Sequence, residues 1–91
     1  MILRKKIKTK NPQGLHARPA SLFVRLANKF ESDVIVRRGS EKVNGKSIMG
    51  LLTLAASEGS IVEIEVSGDD AERAMNELEQ FLLSDKDQDN K

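Results

Sequence analysis

The sequence contains no cysteine, no tryptophan and no tyrosine, and it has one histidine. Without thiols there can be no disulfides, thiolate metal sites or thiol nucleophiles. One imidazole rules out a multi-histidine metal site built within one chain. Aromatic content is three phenylalanines, too few for a platform that stacks nucleic-acid bases. The most apolar stretch, Leu51 to Ala56, falls far short of the ~20 residues needed to span a bilayer. The opening MILRKKIKTK carries basic residues with no apolar segment behind them, so it does not read as a secretory signal. These absences predict a soluble, cytoplasmic protein with no membrane insertion, no resident metal and no cofactor.

What remains is 91 residues with 38% apolar and 32% charged side chains, an ordinary globular balance. A chain of this length builds one core and has no room for a large enclosed cavity. Its chemistry is therefore expected at the surface, with partner proteins completing the site. Net charge is +1, from 15 basic and 14 acidic residues, but the distribution is uneven: the first ten residues are basic in balance and the last twenty or so acidic. A basic first strand could touch nucleic acid, yet the overall balance argues against that as the main role.

Along the chain, residues 2–9 place Leu3 and Ile7 on one face and Arg4, Lys6 and Lys8 on the other, which predicts a half-buried strand interrupted by Lys5. Asn11-Pro12-Gln13-Gly14 reads as a type I turn. From Pro19 to about Lys29, Ala20, Phe23, Leu26, Ala27 and Phe30 recur at helical spacing, with Leu22 and Val24 outside that stripe. Asp33 to Arg38 reads as a strand entering a hairpin at Gly39-Ser40, with Glu41 to Val43 returning and Asn44-Gly45-Lys46 ending it. Ser47 is the expected N-cap of a short helix to about Leu54, and Glu58-Gly59 a turn. Ser60 to Ser67 alternates cleanly. Asp69 to Leu83 predicts a helix opened by a capping-box-like Asp69/Glu72 pair, with Ala71, Ala74, Met75, Leu78, Phe81 and Leu82 as its core stripe. The order β-α-β-β-α-β-α predicts an α+β, open-faced two-layer sandwich, its helices covering one face of the sheet. The organisation expected is one domain over residues 1–84 and a disordered polar tail over residues 85–91.

His16 stands after the turn and before the first helix. Free backbone N–H groups and the positive pole of a helix gather at such a junction, and both favour a phosphate. Arg18 adds a permanent cation with a planar fork of donors. Imidazole suits reversible phosphoryl transfer: one ring nitrogen attacks phosphorus while the other carries a proton, making the ring a good leaving group on return. Generic rules equally describe His16 as a surface residue or a cap.

The run Asn11-Pro12-Gln13-Gly14-Leu15-His16-Ala17-Arg18-Pro19-Ala20 resembles the active-site segment of the HPr family, the histidine-containing phosphocarriers of the bacterial phosphotransferase system. Gly45-Lys46-Ser47-Ile48-Met49-Gly50-Leu51 resembles that family's regulatory serine region, and the resemblance spans about residues 3 to 83. It implies an open sandwich of four antiparallel strands and three helices. It further implies that His16 accepts phosphate, normally on Nδ1, from enzyme I charged by phosphoenolpyruvate, and donates it to enzyme IIA domains. Arg18 would contact the phosphate and the N–H of Ala17 would add a backbone contact. Such a protein is a carrier with a phosphohistidine intermediate rather than an independent enzyme. Ala55 stands where many relatives have glycine.

The resemblance also makes Ser47 a target of an ATP-dependent HPr kinase/phosphorylase. A phosphate there would meet the favourable end of the helix dipole and change surface charge by nearly two units without melting the helix. Leu22, Val24, Ile48, Met49 and Leu52 are candidate partner-docking residues, with core packing as the alternative for each. Two other readings stay open: a nitrogen-branch or purely regulatory paralogue, and, from a different class, a basic nucleic-acid-binding module using Arg4 to Lys10. Nothing suggests a dimer interface, so a monomer is expected.

Overall fold

The computed structural model describes residues 1–9, 17–54 and 60–83, and of residues 17 and 18 the backbone only. The predicted turns at Asn11–Gly14 and Glu58-Gly59, Leu15, His16, Ala55 and the tail lie outside the described residues.

The element order is β1 (Ile2–Lys8), α1 (Ala17–Ala27), β2 (Asp33–Arg38), β3 (Glu41–Asn44), α2 (Ile48–Leu54), β4 (Ile61–Ser67) and α3 (Ala71–Leu83). The four strands form one sheet in the order β1-β4-β2-β3, and every neighbouring pair is antiparallel. In register, Ile7 faces Val62, Val34 faces Val66 and Val36 faces Ile64. All six are buried on one side of the sheet. That side is closed by Phe23, Leu51, Leu54, Leu78 and Leu82 from the three helices, all at most 1% exposed. The period-two alternation of β4 and the helical stripe of α3 thus meet in one core, as sequence periodicity requires.

The polar face of the sheet pairs its own charges. The Glu65 carboxylate accepts from Arg4 Nε at 3.0 Å and from Arg37 Nη2 at 3.1 Å. Arg4 first, then Arg37, holds its pKa below the usual carboxylate value against a smaller opposing effect of desolvation. Lys5, which breaks the apolar face of β1, is accommodated by an ion pair from Nζ to Glu79 of α3 at 2.9 Å.

Three readings need correction. Helix α1 begins at Ala17, before Pro19, which therefore sits within the first turn, where a missing N–H costs no helical bond. Its core stripe is Ala20, Phe23, Val24 and Ala27, the i, i+3, i+4, i+7 set of a 3.6-residue period. Val24 is 8% exposed and Leu26 only half-buried on the helix shoulder. Val24 is thus a core residue and leaves the list of surface docking candidates. Finally, the Asp69/Glu72 capping box does not form. Asp70 holds the N-cap position, its carbonyl accepting from Ala74 N–H at 3.0 Å. Its carboxylate turns away from α3 toward the segment after α1, accepting from the N–H groups of Glu31 and Ser32, each at 3.0 Å, and from the Ser32 hydroxyl.

Candidate functional site

His16 itself lies outside the described residues, but the elements on either side of its segment are well placed. Strand β1 ends at Lys8, and the next residue, Thr9, is 1% exposed. Its N–H donates to the carbonyl of Ser60 at 2.9 Å. The segment carrying His16 therefore departs beside the start of β4, at the point where the segment following α2 returns. On its far side, Ala17 is the first residue of α1. His16 thus directly precedes a helix whose opening N–H groups have no intrahelical acceptors, and Ala17 contributes one of these. The side chain of Arg18 is outside the described atoms.

The second site residue, Ser47, is positioned by a chain of specific bonds. Gly45 N–H donates to Val34 O at 2.7 Å and Lys46 N–H to Asn44 Oδ1 at 2.8 Å, an Asx-type turn. A Cβ at position 45 would lie 3.0 Å from Val34 Cβ, so only glycine lets this corner press against β2. Ser47 then caps α2: its Oγ accepts from Gly50 N–H at 3.0 Å and its carbonyl from Leu51 N–H at 3.0 Å. The N-cap role expected from sequence is the one observed, and the residue is half-buried.

Two fastenings of α2 were not foreseen. Lys46 Nζ donates to the carbonyl of Phe30, just past α1, at 2.8 Å, and Arg38 Nη1 donates to the carbonyl of Leu54, the last residue of α2, at 3.3 Å. Both join residues sixteen positions apart. Local spacing carries no trace of such pairs, although a cation near a helix C-terminus is a recognisable preference.

Helix α2 buries Leu51 and Leu54 and exposes Ile48 at 42%, Met49 at 73% and Leu52 at 36%. These three apolar side chains follow the capped serine within five residues, on a helix that packs against α1 and β3. Leu22, on α1, is half-buried against the core. Among the described residues no group of three or more carboxylates or imidazoles is close enough to hold a metal ion.

A serine that caps a helix with exposed apolar residues, and a second helix that starts directly after Gly-Leu-His, form the arrangement to be compared with known proteins. The family model "PTS HPr component phosphorylation site" matches residues 3–84. The chain belongs to the HPr family. It is 42% identical to phosphocarrier protein HPr of Neisseria meningitidis over 81 residues, covering 89% of this chain and 91% of that protein. The crystal structure of phosphocarrier HPr from Bacillus anthracis superposes with a TM-score of 0.87 at 40% identity, covering 89% of this chain and 96% of the other. The Bacillus subtilis protein Crh, described as a domain-swapped dimer, superposes at 0.72 with 42% identity, covering 88% and 92% of the two chains. The family's four-stranded antiparallel sheet with three helices is the fold found here. A solved relative that dimerises bears on the expectation of a monomer and leaves it open. No described helix is long and apolar enough to cross a membrane.

Proposed function

We propose that this protein is a phosphocarrier of the phosphoenolpyruvate-dependent sugar phosphotransferase system, working in the cytoplasm. The observation supporting this most strongly is the family match spanning His16, together with a helix that starts at the next residue. In the proposed cycle a lone pair on Nδ1 of His16 attacks the phosphorus held by enzyme I. A P–N bond forms to His16 as the bond from phosphorus to its donor atom breaks, and the donor keeps that electron pair. The reverse displacement delivers the group to an enzyme IIA domain. Arg18 and the N–H of Ala17 stabilise the charge on the phosphoryl oxygens in both directions.

Ser47 is the proposed regulatory site. Phosphate transferred from ATP by HPr kinase/phosphorylase adds nearly two negative charges beside Ile48, Met49 and Leu52. Those residues, with Leu22, are the proposed docking surface for enzyme I and enzyme IIA. A charged group there opposes an acidic partner while the N-cap tolerates it.

A regulatory paralogue is the second reading, favoured by the 42% identity to Crh. The two are separated by offering the protein to sugar-branch and nitrogen-branch enzyme I with phosphoenolpyruvate and then to an enzyme IIA domain. Passage of phosphate from the sugar-branch enzyme to IIA supports the carrier. Acceptance from the nitrogen-branch enzyme alone, or from neither, overturns the sugar-branch assignment.

A further inference from the structure

The sheet face turned away from the helices carries an uneven charge. By register, three rows of side chains cross it: Lys8 beside Ile61; then Lys6, Glu63, Arg37 and Lys42; then Arg4, Glu65, Ile35 and Asn44. Five of these are cations and two are carboxylates. The Glu65 carboxylate is taken by Arg4 and Arg37, and Glu63 lies 3.9 Å from Arg37. Lys6, Lys8 and Lys42 are exposed, and none has an ion-pair partner among the described residues. Arg37 and Lys42 stand directly opposite each other, a like-charge pairing that is destabilising and that a bound anion would relieve. Amid these cations is a hollow lined by Lys6, Arg37, Gly39, Ile61 and Glu63. Ile61 is 61% exposed. Nothing lies within 4 Å of where a Gly39 Cβ would stand, so the hairpin leaves the hollow open.

We propose that this face docks an acidic segment of a partner protein in extended form, with an apolar side chain in the hollow and a carboxylate on either side. The spacing of the cations fits such a segment. Neighbouring strands lie ~4.8 Å apart, so Lys6 and Lys42, three spacings apart, are separated by ~14 Å. In an extended segment, side chains four positions apart share a face at ~13 Å, with a third midway between them. The outer two reach the lysines on β1 and β3, and the middle one meets Ile61. A nucleic acid fits this face less well. All three phenylalanines are buried, which leaves no ring to stack on a base, and a phosphate backbone has nothing to set against Ile61. The inference does not depend on the phosphocarrier reading.

The probe is the capped peptide acetyl-Glu-Ser-Leu-Ser-Glu-amide, titrated into the full-length protein at low ionic strength and followed by amide chemical shifts. The expected result is a set of shifts centred on Lys6, Lys8, Arg37, Lys42 and Ile61. Binding should weaken about fivefold in Lys6→Gln/Lys42→Gln, whose spectrum should otherwise match the parent. Replacing the peptide's leucine by serine should weaken it too. Lys29→Gln, on the helical side, and His16→Ala should bind as the parent does. The proposal is overturned by the absence of shifts at millimolar peptide, by shifts centred on the helices, or by parent-like binding of the double variant. It is also overturned if a short oligothymidylate or phosphatidylglycerol vesicles bind this face more tightly than the peptide does.

Discussion

Asp70 and Ser32, on separate segments 38 positions apart, are joined twice: the carboxylate accepts both the backbone N–H and the hydroxyl of Ser32. This ties the end of the α1 segment to the start of α3. The Ser32 hydroxyl, followed by the Glu31 N–H, holds the Asp70 pKa below its usual value, with desolvation opposing. A depressed folded-state pKa means that this contribution to stability is present above the unfolded-state value, about 3.9, and is lost as pH falls through the lower folded-state value. Asp70→Asn should therefore melt below the parent at neutral pH, and the gap should close below about pH 4. A gap that stays constant from pH 7 to pH 2.5 in thermal scans would contradict this.

The same contact constrains Gly68. Its φ is 149°, and a Cβ there would lie 2.7 Å from Ser32 Cα. Gly68→Ala is expected to cost about 1–3 kcal/mol, read as a lowered urea midpoint with unchanged slope. A stability equal to the parent would show that the loop relaxes freely.

Much of this fold was legible from the sequence because the signals are local. The alternation of Val62, Ile64 and Val66, the Gly39-Ser40 hairpin and Ser47 ahead of an apolar run each need a window of a few residues. The failures came where distant partners decide. Asp69 and Asp70 look alike as caps until Ser32, 38 positions away, claims the carboxylate of Asp70. Val24 is off-stripe only if Leu26 is assigned to the core, and the packing of α1 against its neighbours settled that. Ser47 was legible as a cap. Its fastening through Lys46 to Phe30 was not, because the acceptor is a backbone carbonyl brought near only by folding.

The cap role of Ser47 and its proposed regulatory role can be separated. Ser47→Ala removes the acceptor for Gly50 N–H and should cost ~1 kcal/mol. Ser47→Asp keeps a capping oxygen, so denaturant melting should place it near the parent. Isothermal calorimetry should nevertheless show weakened binding of the Asp variant to enzyme I. Parent-like affinity would remove charge at this position as a regulator.

Burial sorts the apolar candidates in the same way. Val24→Ala should destabilise by about 1–3 kcal/mol, because Val24 belongs to the core. Met49→Ala should change stability by no more than ~0.5 kcal/mol, as for exposed positions generally. It should also raise the enzyme I concentration needed for half-maximal phosphorylation several-fold. If Met49→Ala unfolds the protein or leaves docking unchanged, the exposed α2 surface is not the contact.

The central claim is that one imidazole carries the phosphoryl group. Incubating parent and His16→Ala with enzyme I and radiolabelled phosphoenolpyruvate, then treating with acid, tests it directly. The account predicts an acid-labile label on the parent and none on a variant whose circular dichroism matches it. Equal labelling of the folded variant would contradict it.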